Sequence, residues 1–240
     1  MWNLEDFKLG VGTSNAQINE EINRRYFLCN EKVDRYKART QMEIYRLKKM
    51  KGDSVESKKE GQINLEVLYK PYFIISGKHN IIHLRKGSDT ISLREDVLAI
   101  NIGDSIFNIN DLPRTKNDLY QLNYAELVGK KNENQLIFDS EGREIKENDI
   151  PKYKKIEDQL LDKIINEKQI DQTSINEKKL IVNFKKSLMK PSEENIRTIE
   201  EKITINLDII LRARYKGTIT IYDKNKEMII DSVSGKSKLK

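Results

Sequence analysis

Cysteine, histidine and proline are scarce in this chain of 240 residues, which has one Cys, two His and four Pro. A single cysteine, Cys29, excludes an intramolecular disulfide and a cysteine-based zinc site, and it points to a reducing compartment. His79 and His83 are too few for a metal centre unless carboxylates complete the ligand set. Their ordinary role would be at a hairpin or on the surface, so no metal and no cofactor is expected. There is no glycine-rich phosphate loop of the Walker or dinucleotide type, and no serine in a nucleophile-elbow context. Cys29 falls in an apolar stripe, which favours a small buried residue over a nucleophile. Acidic residues are plentiful, but no pair stands out as a general acid and base. These absences together argue against an enzyme.

Long hydrophobic runs are also missing. The most continuous, around Tyr72-Phe73-Ile74-Ile75, is far short of the roughly 20 apolar residues that a membrane helix needs. The N-terminus, Met1-Trp2-Asn3-Leu4-Glu5-Asp6, is acidic and carries no apolar core segment of the signal-peptide kind. A soluble cytoplasmic protein with no membrane partner is the expectation.

What the chain does have is charge. Charged residues make up 34 % and the mean hydropathy is −0.69, yet apolar residues reach 37 % and recur in periodic blocks, so a modest core with solvated elements is expected rather than disorder. The net charge is +6 and the pI about 9.1, which favours acidic partners.

That charge is concentrated near the N-terminus. Trp2, Leu4, Phe7, Leu9 and Val11 alternate over residues 1–13, as in a short strand or docking arm. From Ser14 or Asn15, either of which can cap a helix, to Lys51 there is neither proline nor glycine. This reads as one helix over 14–51, about 55 Å long at 1.5 Å per residue. Read as heptads, Tyr26, Val33, Thr40 and Leu47 take one core position and Ile22, Cys29, Tyr36 and Glu43 the other. Thr40 and Glu43 interrupt the seam, so packing on a partner fits at least as well as a homodimeric coiled coil. Between Arg24 and Lys51 stand ten basic residues against three acidic ones, a local +7 that exceeds the charge of the whole chain. The residues expected to contact a protein partner or nucleic acid are Arg24, Arg25, Lys32, Arg35, Arg39, Arg46, Lys48 and Lys49, with Tyr26, Tyr36 and Tyr45 as stacking groups. Lysine and arginine equally populate ordinary solvated helix faces.

Residues 51–61 have linker composition. Beyond them, Ile63-Asn64-Leu65 is echoed by Ile205-Asn206-Leu207. Each copy leads to a glycine, Gly77 or Gly217, and later to an Asp-Ser segment ending in glycine, at Gly142 or Gly235. The preserved order suggests a duplicated strand–turn–strand unit. Turns are expected at Gly77-Lys78-His79-Asn80, Gly87-Ser88, Gly103-Asp104 and Asp139-Ser140-Glu141-Gly142, joining strands into an antiparallel meander with Pro71 at an edge or bulge. Residues 115–128 lean to strand. A second helix should begin near Asp149 with the stripe Tyr153, Ile156, Leu160, Ile164 and Ile165. Leu180, Val182 and Phe184 alternate as a strand, and Ser192 caps a short helix that turns Ile196 and Ile199 inward. Tyr69-Lys70-Pro71-Tyr72 and Arg212-Ala213-Arg214-Tyr215 interleave aromatic and basic residues at matching places in the repeat, which suits either stacking on nucleotides or tyrosines anchoring a sheet edge.

The expected fold is α+β: a long N-terminal helix, then an antiparallel β-rich body covered by one or two helices. Its parts are 1–60 (arm and basic helix), 61–148 (first β-rich unit), 149–200 (helical connection with one strand) and 201–240 (second hairpin unit). The expected function is that of a non-catalytic assembly or adaptor protein. It would dock on a protein partner, or on a second copy of itself, through the 14–51 helix. The alternative is a nucleic-acid or ribonucleoprotein-associated binding protein using the same helix.

Overall fold

The computed structural model describes residues 17–50, 63–102, 105–117, 119–171, 176–189, 195–222 and 224–239. The expected arm over 1–13, the linker 51–61, the Gly103-Asp104 turn and the Ser192 cap lie outside these residues. The chain is mostly β-sheet, 55 % strand and 22 % helical, with one large mixed sheet.

The 14–51 helix is not formed. Gln17–Cys29 is a strand, β1, and the first helix, α1, spans Arg35–Lys49. The apolar residues Ile18, Ile22 and Tyr26 are four apart, and a spacing of four repeats on one face of a strand as well as on one side of a helix. Local chemistry separates the two elements. The Asp34 side chain accepts a hydrogen bond from the Lys37 amide at 2.8 Å, capping α1 at its true start. Arg46, Lys48 and Lys49 fill the last turn, at the negative end of the helix dipole.

The remaining strands are β2 (Asn64–Ile91), β3 (Ala99–Ile102), β4 (Ser105–Asn108), β5 (Tyr120–Phe138), β6 (Tyr153–Lys155), β7 (Asn195–Ile221), β8 (Lys224–Asp231) and β9 (Ser237–Leu239). In the large sheet the order is β5-β2-β7-β1-β6, with β8 pairing β7 and β9, while β3 and β4 form a separate hairpin.

The meander of short hairpins is likewise replaced. β2 runs without interruption through Gly77 and Gly87, and β7 through Gly217, so the strand–turn–strand repeat does not exist as such. Two of these glycines are places where a side chain lies directly on the backbone. A β-carbon at Gly87 would overlap the Tyr124 ring, and one at Gly217 would overlap Met42 Sδ of α1. The Asp-Ser echoes, in contrast, do build matching turns. Asp139 Oδ1 accepts from the Glu141 and Arg143 amides, Asp231 Oδ1 from the Ser234 amide, and Gly142 and Gly235 take φ of 80° and 72°. Pro71 is buried within β2. Tyr69 makes a single parallel bridge to Ile170, and the donor that would extend this ladder is the amide that Pro71 lacks.

The other helices also differ from expectation. Tyr153 belongs to β6, and α2 spans Asp158–Asn166. Glu177–Leu188 is a helix, α3, not a strand: Leu180, Phe184 and Leu188 are buried at spacing four, while Val182 is exposed. The short helix expected to turn Ile196 and Ile199 inward is strand from Asn195 onward.

Two compact units emerge, each assembled from three separated segments. Unit 1 comprises the described parts of Met1–Glu21, Lys78–Glu133 and Leu188–Thr204; unit 2 those of Ile22–Gly77, Asn134–Ser187 and Ile205–Lys240. In unit 2 successive residues of β7 point to opposite faces. Tyr215, Ile219 and Ile221 join Val33, Ala38, Met42, Met50, Ile63 and Leu65 in a core beneath α1. Ile210 joins Cys29, Ile74 and Ile137 in a second core, against which Ile145, Ile150 and Val233 pack. In unit 1 the Lys78 and Lys131 ammonium groups meet Glu133, and the Tyr124 hydroxyl donates to Asp89 at 2.7 Å.

Candidate functional site

The basic residues chosen from the sequence are dispersed by the fold. Arg24 and Arg25 lie on β1 and are already engaged: Arg24 Nε meets Glu177 Oε1 at 2.7 Å, and Arg25 makes two hydrogen bonds to the Asp208 carboxylate at 2.7 and 2.8 Å. Lys32 sits in the connection before α1. Arg46 is buried and held by the Glu43 carboxylate, with its Nη2 2.6 Å from Oε1. A cation already paired in this way has little to offer a partner.

What α1 presents outward is a different set. Ala38, Met42 and Arg46 face the core at spacing four, which turns Tyr36, Thr40, Ile44 and Leu47 to the opposite side. Tyr36 is 80 % exposed, Ile44 47 % and Leu47 39 %, an apolar stripe on a helix that is otherwise strongly basic. Arg39 and Lys48 flank the stripe, and among the described residues neither has a carboxylate partner. Arg35 donates from Nη2 to the Leu65 carbonyl at 3.0 Å, and the Lys49 ammonium lies 5.7 Å from the centre of the Tyr45 ring. Tyr45 itself packs against the core beneath α1, so it is not a free stacking group.

The interleaved aromatic and basic segments divide by strand alternation. Tyr69 and Tyr215 point inward and are buried, with their phenol pKa values raised above the ordinary range by burial first and by neighbouring Glu31 second. Tyr215 donates to Glu31 Oε2 at 3.1 Å. Neither ring is available for stacking on a nucleotide. Their neighbours Lys70, Arg212 and Arg214 emerge on the other face of the sheet.

The two histidines are buried in the interior of β2 rather than placed at a turn. His79 Nε2 is 2.9 Å from Glu201 Oε1, and both ring nitrogens of His83 lack a hydrogen-bond partner among the described residues. Among the described residues no three His, Cys, Asp or Glu side chains converge as a metal set. No helix among them is long and apolar enough to cross a membrane. The chain matches no family model, and no curated protein or solved structure is significantly similar to it.

Proposed function

We propose that this chain is a non-catalytic adaptor that docks an acidic protein segment on the outward face of α1, in a cytoplasmic setting consistent with its single reduced cysteine. The observation that carries this reading is the exposed stripe of Tyr36, Ile44 and Leu47 bordered by Arg39 and Lys48, two cations with no carboxylate partner among the described residues. Apolar burial would supply affinity and the basic border would select an acidic partner and speed its capture. A protein partner fits better than a nucleic acid. Arg24, Arg25 and Arg46 are neutralised by Glu177, Asp208 and Glu43, which cuts deeply into the phosphate-binding footprint that the sequence offered.

The test compares the intact protein with two variants, Arg39→Glu/Lys48→Glu and Ile44→Ser/Leu47→Ser. Both alter exposed positions, so melting temperatures should match that of the parent. Proteins recovered from a native extract are compared by mass spectrometry, with absorbance at 260 and 280 nm read on each eluate. An acidic protein held by the parent and reduced at least tenfold in both variants is the expected result. Equal recovery by all three refutes the docking face. Recovery of nucleic acid with a steep salt dependence favours the nucleic-acid reading, and self-association lost in the variants favours a homo-oligomer.

A further inference from the structure

On the sheet face to which Lys70 and Arg214 turn, unit 2 carries a groove of about 850 Å³. It is bounded by β2, β7, β8 and β9, with Glu141 and Asp171 at its margin, and its size is in the range of small-molecule sites, ~300–1,000 Å³. Leu68 and Ile229 give it an apolar floor.

Every carboxylate that lines the groove is already met by a cation. Asp231 accepts from Arg212 Nη2 at 2.6 Å, Glu227 lies 3.0 Å from Lys216 Nζ, Glu141 3.0 Å from Arg143 Nη2, and Asp171 3.8 Å from Lys70 Nζ. Arg212 and the Ser234 amide and hydroxyl occupy Asp231 Oδ1, and the carboxyl is held below its ordinary range by these partners even though burial works against it. The charge left over is positive and belongs to three side chains. Arg214 has only a 3.7 Å approach to Asp231, and its buried Nε has no hydrogen-bond partner among the described residues. Lys236 and Lys238 line the same groove, and among the described residues no carboxylate lies within ion-pair distance of either ammonium.

We propose that this groove binds a phosphate-bearing small molecule, its oxyanion held by Arg214, Lys236 and Lys238 and its apolar portion resting on Leu68 and Ile229. The Arg214 Nε–H, buried with no hydrogen-bond partner among the described residues, is free to donate to a bound anion, and a planar fork beside two exposed ammonium groups suits a multiply charged tetrahedral anion. A monocarboxylate would leave two of the three cations uncompensated. The site is separate from the α1 face and does not depend on the adaptor reading.

Calorimetric titration of the intact protein with pyrophosphate, at constant ionic strength, tests this. Saturable binding is expected, weakened at least tenfold in Lys236→Gln/Lys238→Gln and unchanged in Arg39→Glu/Lys48→Glu. Lys236, just before β9, and Lys238, within it, are exposed, so the first variant should keep the parent melting temperature; Arg214→Gln, if it also folds, should show the same loss. Absence of saturable binding, or equal affinity in parent and Lys236→Gln/Lys238→Gln, overturns the site. Citrate binding as tightly as pyrophosphate overturns the phosphate assignment.

Discussion

The imidazole of His83 is completely buried in β2 with neither nitrogen bonded among the described residues. Burial first, then the positive charges of Lys130 and Arg85, lower its pKa from the ordinary 6.5. The native state therefore holds the neutral form. Its stability is fully present above the unfolded value, near pH 6.5, and is lost as pH falls from there towards the lower folded value. Urea unfolding at pH 7.5, 6.5 and 5.5 should show this decline, at a slope of up to ~1.4 kcal/mol per pH unit from this one proton. His83→Leu should flatten that part of the slope, and identical slopes in parent and variant would show that His83 does not titrate with folding. The sequence drew attention to His79 and His83 but placed them beside a turn, because Gly77 looked like punctuation when it is a strand residue.

At the level of elements, the seating of α1 on β7 rests on one pair. Met42 is fully buried, and its Sδ and Cε lie over Gly217. Gly217→Ala inserts a methyl where none fits, which should cost ~1–3 kcal/mol through overpacking, offset by ~0.5–1 kcal/mol from replacing glycine within a strand. Met42→Ala alone removes buried volume and should cost ~2–5 kcal/mol. The two losses should fall short of additive by ~0.5–3 kcal/mol in the double variant, since each relieves the other. Denaturant unfolding of the four proteins measures this, and strict additivity would mean that the two residues do not share a contact. The same elements show where sequence reading succeeds. Asp139 and Asp231 specify their turns within five residues, through their own side chains and a following glycine with positive φ; the first was legible as a turn, and the second only as its Asp-Ser echo, at the end of a strand. β1 and α3 were exchanged for their opposites because a spacing of four fits both periods, and the deciding facts were the Asp34 cap and the burial of Leu188 rather than Val182. The α1 portion of the candidate site was legible as a basic helix. Which of its faces is free was not, since that depends on Gly217, far along the chain.

For the molecule as a whole, the sheet brings β1, β2 and β7 side by side from segments separated by most of the chain's length. Such pairing has little local signature, which is why two units each drawn from three segments cannot be read from consecutive stretches of sequence. The groove cations were visible as residues but not as a group, because Arg214, Lys236 and Lys238 converge only when β7, β8 and β9 pair.

Cys29 lies where these distant segments meet. It is 1 % exposed at the end of β1 and packs with Ile74 of β2, Ile137 of β5 and Ile210 of β7. Burial pushes its thiol up to about 11, against the opposing charge of Arg212. The chain thus carries a built-in clock. With one sulfhydryl per molecule, a maleimide or a disulfide reagent records the moments at which four strands part, with no label to be engineered. Modification at pH 8 should run about a thousandfold or more slower than for the unfolded chain and should accelerate in step with the urea dependence of unfolding. Reaction of the native protein at the rate of a free thiol would place Cys29 outside this core.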